Sequence, residues 1–180
     1  MRFQMTTDGT VKWITALTGA VVLVTSLVPL ALFSLPHVPA PVAWLTFLVT
    51  LGVPAILGFT VLLAPRGVRV EHDTLIVERL AWSDVRIPLA DITSAEVGPQ
   101  LALMGGGAWR FAGNGGLMGF TGFFKVRKTG EVARCWSSRL GGTVLLHRSD
   151  ARPVLLGVDD GAGLLQALHE RGATGRPAST

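Results

Sequence analysis

The chain carries one cysteine, Cys135, and four histidines at positions 37, 72, 147 and 169. A cysteine nucleophile needs a base within reach, and His147 is a candidate only because it exists. Cys135 sits mid-strand between Arg134 and Trp136, where a buried structural thiol is the simpler expectation. A single cysteine makes no intramolecular disulfide and no CxxC pair. The histidines show no HxxxH or His-Cys spacing, so no metal and no cofactor are expected. Asp159 and Asp160 are a carboxylate pair by type. Placed just before Leu164, Leu165 and Leu168, they read as a helix cap interacting with the helix dipole. No catalytic residue is assigned.

Residues 98–122 hold nine glycines in 25 positions. A phosphate cradle would need GxxxxGK[ST], yet no Gly-Lys pair occurs; a dinucleotide fingerprint fails because Met118 stands where a glycine should. The stretch is otherwise apolar, with Trp109, Phe111, Leu117, Met118 and Phe120 around one charge, Arg110. These six residues are the partner-binding candidates if the segment is an exposed flap meeting a protein or the bilayer. A packed irregular loop is the alternative. A second group is cationic. Lys125 and Arg127 share a strand face and Lys128 follows, with Arg134 and Arg139 nearby in sequence. They are lipid-headgroup candidates, each cation contributing about 1 kcal/mol near an anionic surface. A solvated face that deters edge pairing is the other reading. From residue 66 onward there are 14 Lys and Arg against 11 Asp and Glu, too mild an excess to argue for nucleic acid.

The elements that must position these residues divide the 180-residue chain in two. Apolar residues make up 49% and charged ones only 16%, against roughly 25% charged in a soluble domain. The excess is concentrated. Residues 14–33 and 42–63 contain no charge, and at about 1.5 Å per residue each run spans the roughly 30 Å hydrocarbon core of a bilayer. Residues 34–41, with three prolines, read as an external loop. Arg2 and Lys12 precede the first run and Arg66 and Arg69 follow the second, which places both termini in the cytoplasm, with residues 1–13 as an N-terminal tail. Trp13 and Trp44 fall at opposite interfaces of this hairpin. Neither span has an ionisable side chain, which argues against an ion or proton path.

Beyond residue 67, short runs rich in Val, Ile, Leu and Phe alternate with turn residues, the pattern of a β domain. Strands are expected at 68–72, 75–79, 85–89, 92–97, 120–128, 131–136, 142–147 and 153–158. One amphipathic helix carries Leu164, Leu165 and Leu168 and ends at Gly172. Residues 172–180 are expected to be a disordered tail.

Two spans followed by this strand pattern resemble a bacterial pleckstrin-homology-like domain protein. The segment RFAGNGGLMGFTGFF, residues 110–124, is similar to that family's arginine and glycine-spaced loop leading into a strand through Gly119, Gly122 and Phe124. The stretch VLLHRSDARPVLLGVDD resembles its last two strands and helix cap. The resemblance covers residues 68–171. It implies a membrane-anchored, mostly β protein: a two-helix transmembrane hairpin, then a partial β-barrel of about seven strands with a C-terminal capping helix. Where family members carry Asp-Pro-Glu at the helix start, this chain has Asp160-Gly161-Ala162-Gly163, a weaker first turn. Eukaryotic pleckstrin-homology domains bind phosphoinositides through basic residues between their first two strands; here that turn is His72-Asp73, so the ligand does not carry over. The expected function is a binding module at the cytoplasmic face of a bacterial inner membrane, working by contact with a protein partner or by self-association. A small membrane enzyme or accessory subunit completed by a partner, and an anionic-lipid sensor, are the alternatives.

Overall fold

The computed structural model of the chain describes residues 1–33, 39–101, 107–115 and 117–172. A short strand β1 (Arg2–Gln4) is followed by helices α1 (Gly9–Phe33) and α2 (Ala40–Leu62). Both helices are long and apolar enough to cross a membrane. In α2 no residue is buried, so its side chains have no protein core to enter and suit a lipid surround. The sequence Pro39-Ala40-Pro41 starts α2 where a helix tolerates proline, and Val42 and Ala43 donate back to the Pro39 carbonyl. Most of the expected external loop lies outside the described residues, as does the tail beyond Gly172.

The β domain contains β2 (Pro65–Glu71), β3 (Thr74–Arg79), β4 (Val85–Pro88), β5 (Ile92–Val97), β6 (Ala108–Gly115), β7 (Phe120–Val126), β8 (Val132–Ser137), β9 (Thr143–Arg148) and β10 (Val154–Gly157), then α3 (Gly161–Glu170). They form two sheets, ordered β1-β2-β3-β4 and β5-β9-β10-β8-β7-β6. All pairings are antiparallel except β10 with β8. The sheets stay open, giving a PH-like partial barrel.

Two buried clusters hold it together. One lies between the sheets and α3, where Val68, Leu75 and Ile87 meet Trp136, Leu146, Leu156, Leu164 and Leu168. The other covers the opposite face of the larger sheet with Phe120, Phe124, Ala133, Cys135, Leu145 and Leu155. Because side chains alternate across a strand, Leu145 and Leu155 enter one cluster while Leu146 and Leu156 enter the other. Burial on both faces explains why β9 and β10 read as continuous apolar runs. The first turn of α3, weak in sequence, is capped by Asp160, whose carboxylate accepts from Gly163 N–H at 2.8 Å.

Two strands were not expected. Residues 1–8, anticipated as part of a tail, are packed into the domain: β1 pairs with β2 in the register Phe3↔Val68, and Met5 is buried. Helix α1 begins five residues before its uncharged run because Asp8 accepts from Val11 N–H at 2.8 Å, capping a first turn whose Val11 is fully buried in the second cluster. Within residues 98–122, β6 forms where an irregular loop or flap was expected. Gly113 and Gly122 face each other across β6 and β7 with φ of 115° and 130°. A Cβ on either would lie 2.3 Å from the opposing strand's carbonyl oxygen, so glycine at both positions permits the pairing. Residues 102–106 and 116 of this stretch lie outside the described residues.

Candidate functional site

The domain is fastened to the end of α2 and to the start of α1, and the exposed chemistry gathers at that junction. Ala81 and Leu80 donate backbone hydrogen bonds to the carbonyls of Leu62 and Ala64. In the β3–β4 loop, Trp82 stacks edge-on against Phe59 of α2 with ring centroids 5.6 Å apart. On the α1 side, Leu140 N–H donates to the second carboxylate oxygen of Asp8 at 3.1 Å. The β6–β7 turn reaches along the helix, Met118 N–H donating to Thr15 Oγ1 at 2.9 Å.

β6 is the outermost strand of its sheet, and residues 109–113 are exposed on both of its faces. Trp109 is 45% and Phe111 66% exposed. The register shifts between Arg110 and Ala112, so Phe111 sits in a β-bulge, which bends the strand and turns its edge. Leu117 and Met118 are half-buried in the turn, where the Asn114 carboxamide oxygen accepts from Leu117 N–H. Phe120 is not part of this surface: it is 1% exposed, packed edge-to-face on Phe124. Strand alternation sends it inward, a direction that glycine-rich sequence alone leaves open.

Lys125, Arg127 and Lys128 are exposed at the β7–β8 end. The structure separates them from the other expected cations. Arg139 is drawn into an ion pair with Asp159 at 3.0 Å. Arg134 stacks over the Trp136 ring at 4.6 Å and lines a different feature, a cavity of about 460 Å³ between the last turns of α2 and strands β6–β8. Arg79 and Arg110 line it too. Neither Lys125 nor its turn neighbours do. Sequence reading missed Arg79 altogether, since it ends a strand far from the cationic run. Its guanidinium donates to the Ser83 carbonyl and is held below the usual arginine range by desolvation and by the like charge of Arg134, with Asp84 acting the other way.

Asp159 does more than begin α3. Its carboxylate accepts from Thr6 Oγ1 at 2.8 Å as well as from Arg139, tying the segment before α1 to the helix. Cys135 is fully buried and its thiol is pushed up by burial, while His147 faces Glu96 at 3.3 Å. Cys135 is therefore not an activated nucleophile. Among the described residues no group of three or more His, Cys, Asp or Glu gathers in a metal-binding arrangement.

The family model of the Bacterial PH domain matches residues 66–172. The chain belongs to the bacterial PH domain family. The match begins at β2 and ends just beyond α3, so the family accounts for both sheets except β1. Comparison with curated proteins gave no match, and neither did comparison with solved structures. As a bacterial PH domain preceded by two membrane-capable helices, the chain is read as a binding module.

Proposed function

We propose that the protein is anchored in the bacterial inner membrane by α1 and α2, with both termini and the bacterial PH domain cytoplasmic. We further propose that it works by docking a protein partner on the open edge of β6. The observation that carries this is the strand itself. An eight-residue edge strand exposing Trp109 and Phe111 with one charge is the kind of edge that soluble proteins usually cover. Beyond Ala108, which is bridged to Leu101 and donates to the Gln100 carbonyl, its outer edge and two aromatic anchors suit an extended segment of another protein, added to the sheet as a further strand. Arg110, Leu117 and Met118 lie at the margin of that surface. The cation distribution around the spans supports the orientation.

Photo-crosslinking tests the docking. A photoreactive residue replacing Trp109 or Phe111 in native membranes should give a discrete protein adduct, and the same residue replacing Arg86 on β4 should not. The W109K variant should remove the adduct formed from position 111. Adducts to lipid alone, or equal yields from the β4 control, would sink the reading, as would turnover of a substrate by the purified chain unaided.

A further inference from the structure

Three strands bring three arginines to the wall of one cavity. Arg79 at the end of β3, Arg110 on β6 and Arg134 on β8 all line the cavity of about 460 Å³ beside α2, a volume within the roughly 300–1,000 Å³ of small-ligand sites. No aspartate or glutamate lines it. Of the other arginines, Arg2, Arg69, Arg139 and Arg148 each have a carboxylate within 4.0 Å. Among the described residues none of the three cavity arginines has such a partner. Arg79 is desolvated and repelled by Arg134, with the Asp84 carboxylate as a smaller opposing charge. Arg134 is also held by its stack on Trp136, which fixes a planar donor fork rather than a freely hydrated charge.

The opposite wall is of another kind. Leu57, Phe59 and Thr60 of α2, with Leu63 just past its end, complete the cavity, where a span would leave the hydrocarbon for the headgroup layer. A ligand filling this space meets cations on the domain side and aliphatic or aromatic surface on the helix side. A free inorganic anion would use only half of it. A basic cavity at the inner face of a membrane helix also suits headgroup recognition on physical grounds.

We propose that this cavity binds an acidic phospholipid of the leaflet in which α2 ends. Its phosphate meets Arg79, Arg110 and Arg134, and its glycerol and first acyl carbons lie along Leu57, Phe59 and Leu63. The site shares no residue with the His72-Asp73 turn, and it excludes Lys125, Arg127 and Lys128. A bound lipid would fill the space between α2 and the sheet, so the domain's attachment to α2 would depend on leaflet composition. The inference rests on α2 being a membrane span but not on partner docking at the β6 edge.

The test uses the full chain, purified in detergent and titrated with phosphatidylglycerol or phosphatidylcholine by native mass spectrometry. One phosphatidylglycerol per chain should bind in clear preference to phosphatidylcholine. The R79Q/R134Q variant should weaken that binding by about 10-fold or more, the scale of losing charge-assisted hydrogen bonds. R134K should lie between, having charge without the fork. K125Q/R127Q should bind within about twofold of the unmodified chain, as expected of exposed cations outside the site. If R79Q/R134Q does not fold, R110Q, on an exposed strand, carries the same expectation with a smaller loss. Equal binding of the two lipids overturns the proposal. So does a larger loss in K125Q/R127Q than in R79Q/R134Q. Complete displacement of the lipid by millimolar inorganic phosphate would assign the arginines to a free anion instead. Flotation of the full chain with vesicles separates the two levels: failure to float refutes the membrane anchor, whereas flotation together with equal binding of the two lipids in the titration refutes only the cavity.

Discussion

Replacing Asp8 by alanine tests whether the start of α1 is part of the folded domain. One carboxylate oxygen caps the helix through Val11 N–H at 2.8 Å, and the other accepts from Leu140 N–H at 3.1 Å. Loss of an N-cap side chain costs about 1 kcal/mol. Stranding a partly buried N–H costs about 1–3 kcal/mol more. The two sites are independent in sequence but share one side chain, so D8A should destabilise by about 2–4 kcal/mol in all. For a folding unit of this size about 4 °C is lost per kcal/mol, giving a fall in Tm of roughly 8–16 °C. D8N should lose about half as much, because asparagine caps as well as aspartate but has a single acceptor oxygen for two donors. The assay is thermal unfolding of the full chain in detergent, followed by near-ultraviolet circular dichroism of the tryptophans, Trp136 being the one in the core. Helix content from α1 and α2 should stay nearly constant through the transition. If D8A melts within about 2 °C of the unmodified chain, a shift smaller than 1 kcal/mol, the first eight residues are a tail and their docking is refuted.

Two further outcomes follow from the core. A Cβ at Gly157 would lie 1.7 Å from Ser137 Oγ and 2.5 Å from Ser137 Cβ, in the parallel pairing of β10 with β8. G157A should therefore cost about 1–3 kcal/mol by overpacking, and S137G should recover part of it in a double-mutant cycle; an unshifted melt for G157A would contradict this register. Because burial raises the Cys135 thiol, the folded thiol stays protonated where the unfolded one ionises. Stability is then intact below the unfolded thiol's pKa of about 8.5 and falls by up to about 1.4 kcal/mol per pH unit above it. Urea unfolding between pH 7.5 and 10 should show this slope reduced in C135A; parallel slopes in the two proteins would refute the burial argument.

How much was legible in sequence depended on the range of the interaction responsible. The two membrane-capable helices follow from uninterrupted apolar length, which needs no neighbour to be recognised. Eight of the ten strands among the described residues follow from alternation or from short apolar runs between turns, and α3 from its leucine stripe and Asp160. The exceptions are instructive. β1 has three residues, too few for a period, and exists only because β2, more than 60 residues away, offers an edge. β6 hides among glycines, whose lack of a side chain blurs alternation although the Gly113 and Gly122 pair is what brings the strands together. Phe120, grouped by composition with Trp109 and Phe111, faces the core because its strand position sends it there.

The contrast is sharpest among the cations. Sequence singled out Lys125, Arg127 and Lys128 because they are neighbours along the chain, and the fold leaves them on an open strand end. Arg79, Arg110 and Arg134 are separated by 31 and 24 positions, and no spacing rule connects them. Chain order determines periodicity, and with it helices, strands and anchors. Which side chains share a cavity depends on which strands become neighbours and on which face each side chain points, and only the folded sheets beside α2 decide that.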